Sequence, residues 1–123
     1  MRDVPIGEVI ATREFVFHVT DGGERQVTLQ IGKPVRPSWS VEETRGVAPP
    51  AFVSPFQIVG LSKDERVYAV GIDAVQALVL GFRVLPSWLA ITASIYRGRF
   101  FFLEEDGLGL PQFSTESMEP SQE

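Results

Sequence analysis

Three adjacent acidic residues, Glu104, Glu105 and Asp106, are the part of this sequence whose residue types and spacing most suggest chemistry. Carboxylates so close together are candidates for binding a hard cation. Neighbouring residues of an extended segment point to alternating sides, however, and a calcium site needs six or more oxygen ligands. We therefore predict a solvated acidic run that attracts basic partners, and no metal site.

His18 is the only histidine, and the sequence contains no cysteine. A zinc site or an acyl-transfer site needs several such groups together, which a lone histidine cannot supply. Phosphate loops, HExxH, nucleophile elbows and calcium loops are also absent from the sequence. We therefore predict a non-enzymatic protein with no catalytic residue and no cofactor, and we expect His18 to be a solvated strand residue.

The charge balance is acidic, with 16 Asp and Glu against 11 Lys and Arg and a formal net charge of -5. An acidic surface disfavours non-specific attraction to nucleic acid and to anionic lipid, so neither is an expected partner. An acidic surface does suit a basic protein as a partner. No basic and apolar leader occupies the N-terminus, which favours a cytoplasmic location.

Residues 33–54 have neither helical nor strand periodicity, and four prolines interrupt them: Pro34, Pro37, Pro49 and Pro50. A connection of about 20 residues without regular structure is uncommon in a compact domain and is often functional. We predict that this proline-rich insert binds a partner, with Trp39 as its aromatic anchor. The alternative is that its aromatic residues only cover the edge of the core. The predicted partner-binding residues are Trp39, Glu42, Glu43, Phe52, Glu104, Glu105 and Asp106.

The longest apolar stretch, residues 71–96, is predicted to form the single main helix. Asp73 is expected to cap its start, and Gln76 to reach back to the Asp73 amide. Pro86 lacks an amide and crowds the preceding turn; a kink is predicted because the polar stripe stays in phase across it. The interruptions at Asp73, Gln76, Arg83 and Pro86 leave runs too short for a membrane span of about 20 residues.

The periodicity of this helix predicts one buried and one solvated face. Gly81 falls on the buried side, where a missing side chain lets a neighbouring element come close. We expect Leu78→Ala or Phe82→Ala to cost roughly 2 to 5 kcal/mol. The predicted solvent stripe is Gln76, Arg83, Ser87 and Ser94. The predicted buried residues are Ala74, Leu78, Phe82, Leu85, Leu89, Thr92 and Tyr96.

Alternating apolar and polar residues predict a first hairpin from residues 8–20 and 25–32. Asp21, Gly22 and Gly23 supply its turn. A two-residue loop would place the two apolar sets on opposite faces, so a three-residue loop, or another loop of odd length, is predicted. The predicted pairs are Phe17 with Val27, Phe15 with Leu29, and His18 with Gln26.

A second hairpin is predicted around the polar turn at residues 62–65, and a fifth strand over residues 99–103. The order ββββαβ predicts an α+β fold, an antiparallel sheet with one long helix packed on one face. The helix and sheet would meet through Phe15, Phe17, Val27, Leu29 and Ile31 on the strands. The predicted domain covers residues 1–113, and residues 114–123 are predicted to be a disordered acidic tail.

Three segments, PFQIVGL, YAVGIDAVQALVL and LEEDGLGLP, resemble those of an uncharacterised family of small bacterial proteins described only as a domain of unknown function. The resemblance covers the hairpins, the helix and the last strand, but not the insert or the tail. It implies a bacterial, stand-alone, cytoplasmic domain, similar in profile to many immunity proteins. No activity is assigned to that family, so the resemblance implies no catalytic residue.

The leading functional hypothesis is a bacterial immunity protein that neutralises a cognate toxin by direct binding. Its carboxylates would steer a basic partner, and Trp39 would supply a buried contact. One alternative is a small-ligand binder or minor enzyme with a pocket between helix and sheet, where Tyr68, Arg13 and Glu14 would be the polar groups. Another is a homodimer formed by pairing free sheet edges.

Overall fold

The computed structural model describes residues 4–37, 51–103 and 105–110, which form an antiparallel sheet and one long helix. The elements in chain order are β1 (Val9–Val19), β2 (Glu24–Gly32), β3 (Phe52–Val59), β4 (Glu65–Gly71), α1 (Ala74–Ile95), β5 (Gly98–Phe102) and β6 (Glu105–Asp106). The strand order across the sheet is β4-β3-β2-β1-β5-β6. The predicted α+β class and the ββββαβ order are confirmed, with the two-residue β6 added after β5. The predicted tail lies outside the described residues.

The first hairpin has the predicted parity but a different register. Phe15 pairs with Val27, and Phe17 pairs with Arg25, two residues away from the predicted partner. The Val19 amide donates to the Gly23 carbonyl at 3.1 Å, and the Gly22 amide donates to the Val19 carbonyl at 2.9 Å. The three-residue loop is therefore Thr20 to Gly22. The odd length keeps Phe15 and Phe17 on the same face as Val27, as the pattern required.

The start of α1 follows the predicted cap. Asp73 has extended backbone angles, and its Oδ1 accepts from the Gln76 amide at 2.8 Å. The Gln76 side chain does reach back, but it accepts from the Ile72 amide at 2.8 Å and not from the predicted Asp73 amide. The helix continues through Pro86 without a break. A split at Pro86, the alternative to a kink, is therefore excluded.

The main core lies between α1 and the sheet. Leu85 and Leu89 are fully buried, whereas Leu78 and Phe82 are half-buried at the margin of the same cluster. The buried stripe of α1 is thus turned slightly from the predicted one: it includes Ala77, which was not predicted, together with Gly81, which was. The sheet side of this core is as predicted and is formed by Phe15, Phe17, Val27, Leu29 and Ile31, together with Phe56, Ile58 and Phe100.

Gly81 lets α1 approach β3 closely. A Cβ at this position would lie 2.1 Å from Cε1 of Phe56, well inside the distance at which two carbon atoms can touch. The ring of Phe56 also meets Phe82 edge-on, with 5.6 Å between the ring centroids. The predicted close approach at Gly81 is therefore confirmed, and the approaching group is an aromatic ring of the neighbouring strand.

A smaller apolar cluster covers part of the opposite face of the sheet. It consists of Val4, Ala51, Val53 and Val70, with Tyr68 at its margin. A hydrogen bond also holds the N-terminal segment against this part of the sheet, since Arg66 Nη1 donates to the Val4 carbonyl at 2.8 Å. The N-terminal segment is therefore part of the packed structure and not only a polar lead-in to β1.

Candidate functional site

The predicted partner-binding residues fall into three groups in the structure. Trp39, Glu42, Glu43 and Glu104 lie outside the described residues. Phe52 lies in β3, and Glu105 and Asp106 form β6. Four strand spacings separate β3 from β6 in the sheet order, which at about 4.8 Å each is roughly 19 Å. A single small contact therefore cannot include both Phe52 and the β6 residues.

The sequence pattern predicted that Phe52 lies in the irregular insert, and this prediction was wrong. It is the first residue of β3 and pairs with Gly71 of β4. The side chain is half-buried, and the Arg36 guanidinium lies 5.4 Å from the centroid of its ring. Val35 forms an isolated bridge with Val53. The described ends of the insert therefore run beside strands, which favours the alternative that Phe52 covers a core edge.

Glu105 and Asp106 follow a tight turn at one edge of the sheet. Phe101 pairs with Asp106 and Phe102 with Glu105, so the chain reverses after β5 to form a hairpin. Leu103 has a φ of 52°, the left-handed conformation that such turns need. The Glu105 side chain is exposed. The β5–β6 hairpin thus presents acidic sequence on a strand that, among the described residues, has a neighbour on one side only.

A groove separates this hairpin from the C-terminal half of α1. Two adjoining cavities of about 440 and 420 Å³ share Pro86, Gly107 and Leu108 in their walls. Ala90 and Ala93 line the first cavity from the helix side, and Arg83 and Ser87 line the second. The small side chains and the proline leave space beside α1 that larger residues would fill. We call this feature the α1–hairpin groove.

The side chain of Arg13 fixes the far wall of the α1–hairpin groove, which is the wall opposite α1 formed by Leu108 and Gly109. Its Nη1 donates to the Leu108 carbonyl at 3.3 Å and also to the Gly109 carbonyl. The guanidinium carbon lies 3.9 Å from the centroid of the Phe102 ring. Gly109 approaches the same ring so closely that a Cβ there would lie 2.0 Å from Phe102 Cδ2. Sequence reasoning missed this role because it depends on residues about 95 positions apart.

On the sheet face opposite α1, His18 has a different partner from the predicted one. It pairs with Glu24 in the β1–β2 ladder, and its Nε2 lies 3.2 Å from Glu24 Oε2. Its ring lies on Phe101, with 4.2 Å between the centroids. Together with Val16 these side chains line a shallow cavity of about 340 Å³. Because both His18 and Glu24 are well exposed, an ordinary surface contact between these two side chains explains this arrangement.

The polar groups considered for a small-molecule pocket do not meet in the structure. Tyr68 packs against the cluster on the face away from α1, and Arg13 holds the segment after β6. Glu14 Oε1 accepts from the Thr28 hydroxyl at 2.9 Å on the sheet surface. Among the residues that the structure describes, no group of three or more His, Asp or Glu is placed to hold a metal ion.

By length and apolar composition, α1 could cross a membrane, so the sequence-based argument that its polar residues leave runs too short was wrong. The core helices of soluble proteins commonly have the same properties, and α1 packs along the sheet through Leu85 and Leu89. Among the 18 residues of its most apolar window, 22% are buried inside the protein. This low value means that much of the apolar surface of α1 faces outward.

The fold and groove define the class of the protein as an α+β domain with a peripheral groove beside its helix. Residues 11–112 match the family described as "Domain of unknown function (DUF6968)". Because this match covers well over half of the chain, the protein belongs to that family. No curated protein matches the chain. No solved structure matches it either.

Proposed function

We propose that this protein is a non-enzymatic binding protein, and specifically a bacterial immunity protein that binds and neutralises a cognate toxin in the cytoplasm. The observation that carries the proposal is the acidic β5–β6 hairpin beside the α1–hairpin groove. A basic segment of a partner would be attracted by the carboxylates of the hairpin. Its apolar parts would then enter the groove at Pro86 and Leu108.

The electrostatic part of this proposal rests on the net charge of -5 and on the position of the acidic run. Charges at the rim of an interface mainly accelerate association and set its salt dependence. The exposed carboxylate of Glu105 meets that requirement. Trp39, Glu42 and Glu43 of the insert remain predicted contacts, and they belong to a second region of the chain.

The test is to purify the protein with the product of the adjacent gene and to measure complex formation and protection from that product's toxicity. We expect a stable complex whose association slows as the salt concentration rises. Neither a complex nor protection would overturn the immunity proposal. Calorimetry with the purified partner then gives the affinity for each variant.

A charge-matched pair of variants locates the contact. Neutralising the hairpin with Glu104→Gln, Glu105→Gln and Asp106→Asn should slow association by about tenfold or more, within the range of electrostatic steering. The control neutralises three exposed acids elsewhere, at Glu8, Asp21 and Glu24. Equal effects of the two triple variants would show that the hairpin has no special role. Trp39→Ala tests the insert separately.

One observation favours a second candidate, a small-ligand binder. The two cavities of the α1–hairpin groove, about 440 and 420 Å³, have the size of ligand sites in other proteins, about 300 to 1,000 Å³. A ligand in this groove would raise the melting temperature of the protein, and Ala90→Phe would abolish that rise by filling the groove. Binding that survives Ala90→Phe would contradict this candidate.

A further inference from the structure

The second cavity of the α1–hairpin groove, about 420 Å³, has hydrogen-bond donors on both of its walls. On the helix side, Arg83 and Ser87 line it. They are four residues apart, so they lie one above the other on the same face of α1. A guanidinium only donates hydrogen bonds, and a serine hydroxyl can donate one. The helix wall of this cavity therefore offers a positive charge and several donors.

The far wall adds two backbone amides, because Arg13 fixes the direction of the peptide groups there. The Leu108 and Gly109 carbonyls both accept from Arg13 Nη1. In a planar trans peptide group, the N–H points away from the carbonyl, so the amides of Gly109 and Leu110 point away from Arg13. Residues 108–110 line the cavity, whereas Arg13 is not among the described residues that do. This segment thus lies between Arg13 and the cavity, and both amides face the cavity.

The conformation of Gly109 keeps these two amides parallel. Its φ of 63° is left-handed, and a turn of successive N–H groups to one side forms a concavity that binds anions in other proteins. No hydrogen bond within the described residues uses the amide of Gly109 or Leu110. None of the described residues that line the two cavities is an Asp or Glu, and Glu105 of the hairpin lines neither. The second cavity is therefore suited to a negatively charged group.

From this geometry we infer that the α1–hairpin groove binds a small amphiphilic carboxylate, with the carboxylate in the second cavity. One of its oxygens accepts from the Arg83 guanidinium and the Ser87 hydroxyl, and the other accepts from the Gly109 and Leu110 amides. Bonds of this kind to a charged acceptor are stronger than those between neutral groups. A monoanion is favoured over a phosphate dianion, because the net charge of -5 opposes a doubly charged ligand more. The inference rests on the small-ligand candidate and names its ligand.

The first cavity, about 440 Å³, holds the apolar body of the ligand. It adjoins the second cavity at Pro86 and Leu108, and Leu89, Ala90 and Ala93 line it from the helix. An apolar chain that starts at the carboxylate can continue directly along these side chains. Each methylene group buried in this way should tighten binding by about fourfold. Octanoate should therefore bind roughly tenfold more tightly than hexanoate, and acetate should bind weakest of the three.

The test is an NMR titration of the full chain, labelled with ¹⁵N and free of any protein partner, with sodium octanoate. We expect saturable binding in which the amide protons of Gly109 and Leu110 move downfield. 1-Octanol, which has the same chain and no charge, should bind at least tenfold more weakly. Arg83→Gln should weaken octanoate binding about tenfold or more. The matched control is Arg25→Gln, which removes an equal charge at an exposed site on β2 and should bind like the wild type.

Three outcomes would overturn the inference. Equal binding of octanoate and 1-octanol would show a small-ligand groove that does not select a carboxylate, so the inference fails and the small-ligand candidate stands. If neither compound shifts any groove resonance, both fail. Equal weakening by Arg83→Gln and Arg25→Gln would show a general effect of charge and no carboxylate site. The immunity proposal is judged separately, because its test uses the partner protein and no small molecule.

Discussion

Tyr96, at the C-terminal cap of α1, donates its phenolic hydrogen to Glu65 Oε2 at 2.7 Å, and this bond ties the end of the helix to the start of β4. The hydrogen bond to Glu65 is the main reason why the pKa of Tyr96 is raised above its ordinary value of 10.0. Smaller contributions come from desolvation and from the negative charges of Glu65 and Asp64. The folded protein therefore holds this proton more tightly than the unfolded chain does.

This bond gives a pH prediction with a definite sign. Below pH 10 the phenol is protonated in both states, so its contribution to stability is fully present there. As the pH rises from 10 through the raised pKa of the folded state, the unfolded chain loses the proton first and stability falls. Ultraviolet titration in a Tyr68→Phe background should show the raised pKa of Tyr96.

Glu65→Ala should bring the pKa of Tyr96 back toward 10, because it removes the acceptor and its charge together. Asp64→Ala is the control, since Asp64 makes the smallest contribution to the shift. An unchanged pKa in Glu65→Ala would contradict the hydrogen bond as the cause.

Gly81→Ala is expected to destabilise the protein although alanine is the better helix former. The new methyl group would lie 2.1 Å from the Phe56 ring, and overpacking of this kind typically costs about 1 to 3 kcal/mol. The higher helix propensity of alanine relative to glycine offsets roughly 1 kcal/mol of this cost. Urea unfolding gives the net change. In a Phe56→Leu background the penalty should shrink, and a penalty of equal size in both backgrounds would disprove the clash.

The buried hydroxyl of Ser54 has no hydrogen-bond partner among the residues that the structure describes. The hydroxyl of Thr92, also a buried residue, donates to the Trp88 carbonyl at 2.9 Å. An unsatisfied buried polar group costs about 1 to 3 kcal/mol. Ser54→Ala should therefore raise the free energy of unfolding, by roughly 1 kcal/mol after allowance for the small space left.

Thr92→Val is the matched comparison for Ser54→Ala, because it removes a hydroxyl that is already satisfied and leaves the Trp88 carbonyl with its helical partner. We expect it to be neutral or mildly destabilising in thermal unfolding. A loss of stability in Ser54→Ala would show that the Ser54 hydroxyl does have a partner, such as an ordered water.

Leu85 is one of two leucines of α1, with Leu89, that are completely buried in the main core. Leu78, by contrast, is only half-buried at the margin of that core. Leu85→Ala should lower the free energy of unfolding by roughly 2 to 5 kcal/mol. Leu78→Ala should lower it by less than Leu85→Ala does, because Leu78 is less buried than the sequence pattern predicted. Ile91→Ala, at a 60% exposed site of the same helix, is the control and should change stability by less than about 0.5 kcal/mol. Equal losses at Leu78 and Leu85 would contradict this ranking.

The features that the sequence predicted correctly are local ones. The cap at Asp73, the run of α1 and the odd loop length follow from patterns within a few residues, and the sheet face of Phe15 and Phe17 follows from alternation. The exact register did not follow, because the loop begins at Thr20 and not at Asp21. Both registers keep the apolar side chains on one face, so alternation alone could not choose between them.

The beginning of β3 was missed because Pro55 lies inside it. A proline cannot donate to a strand ladder, which normally argues against a central strand. The β2–β3 ladder ends at the pair Ile31 and Phe56, one residue beyond Pro55, so its missing amide breaks no bond there. This depends on the path of β2 and cannot be deduced from the residues of β3. The α1–hairpin groove depends in the same way on the reversal of the chain at Leu103.

The contacts of Arg13 predict that this one side chain controls the order of the far wall of the groove. It bonds to the carbonyls of Leu108 and Gly109 and stacks on Phe102. Hydrogen bonds from a charged donor are worth about 1.5 to 3 kcal/mol, and the stacking adds roughly 0.5 to 1 kcal/mol. In Arg13→Ala the segment should open locally more often, while the core of α1 and β1 to β3 keeps its protection.

The measurement is hydrogen exchange at Gly107, whose amide donates to the Phe100 carbonyl at 2.9 Å and so reports whether the hairpin is closed. A local loss of about 2 kcal/mol or more corresponds to exchange roughly 30 times faster or more. Arg25→Ala, at an exposed position on the adjacent strand β2, is the control and should leave Gly107 unchanged. If Arg13→Ala instead accelerates all core amides equally, Arg13 stabilises the whole fold, and the groove wall is not a separate unit.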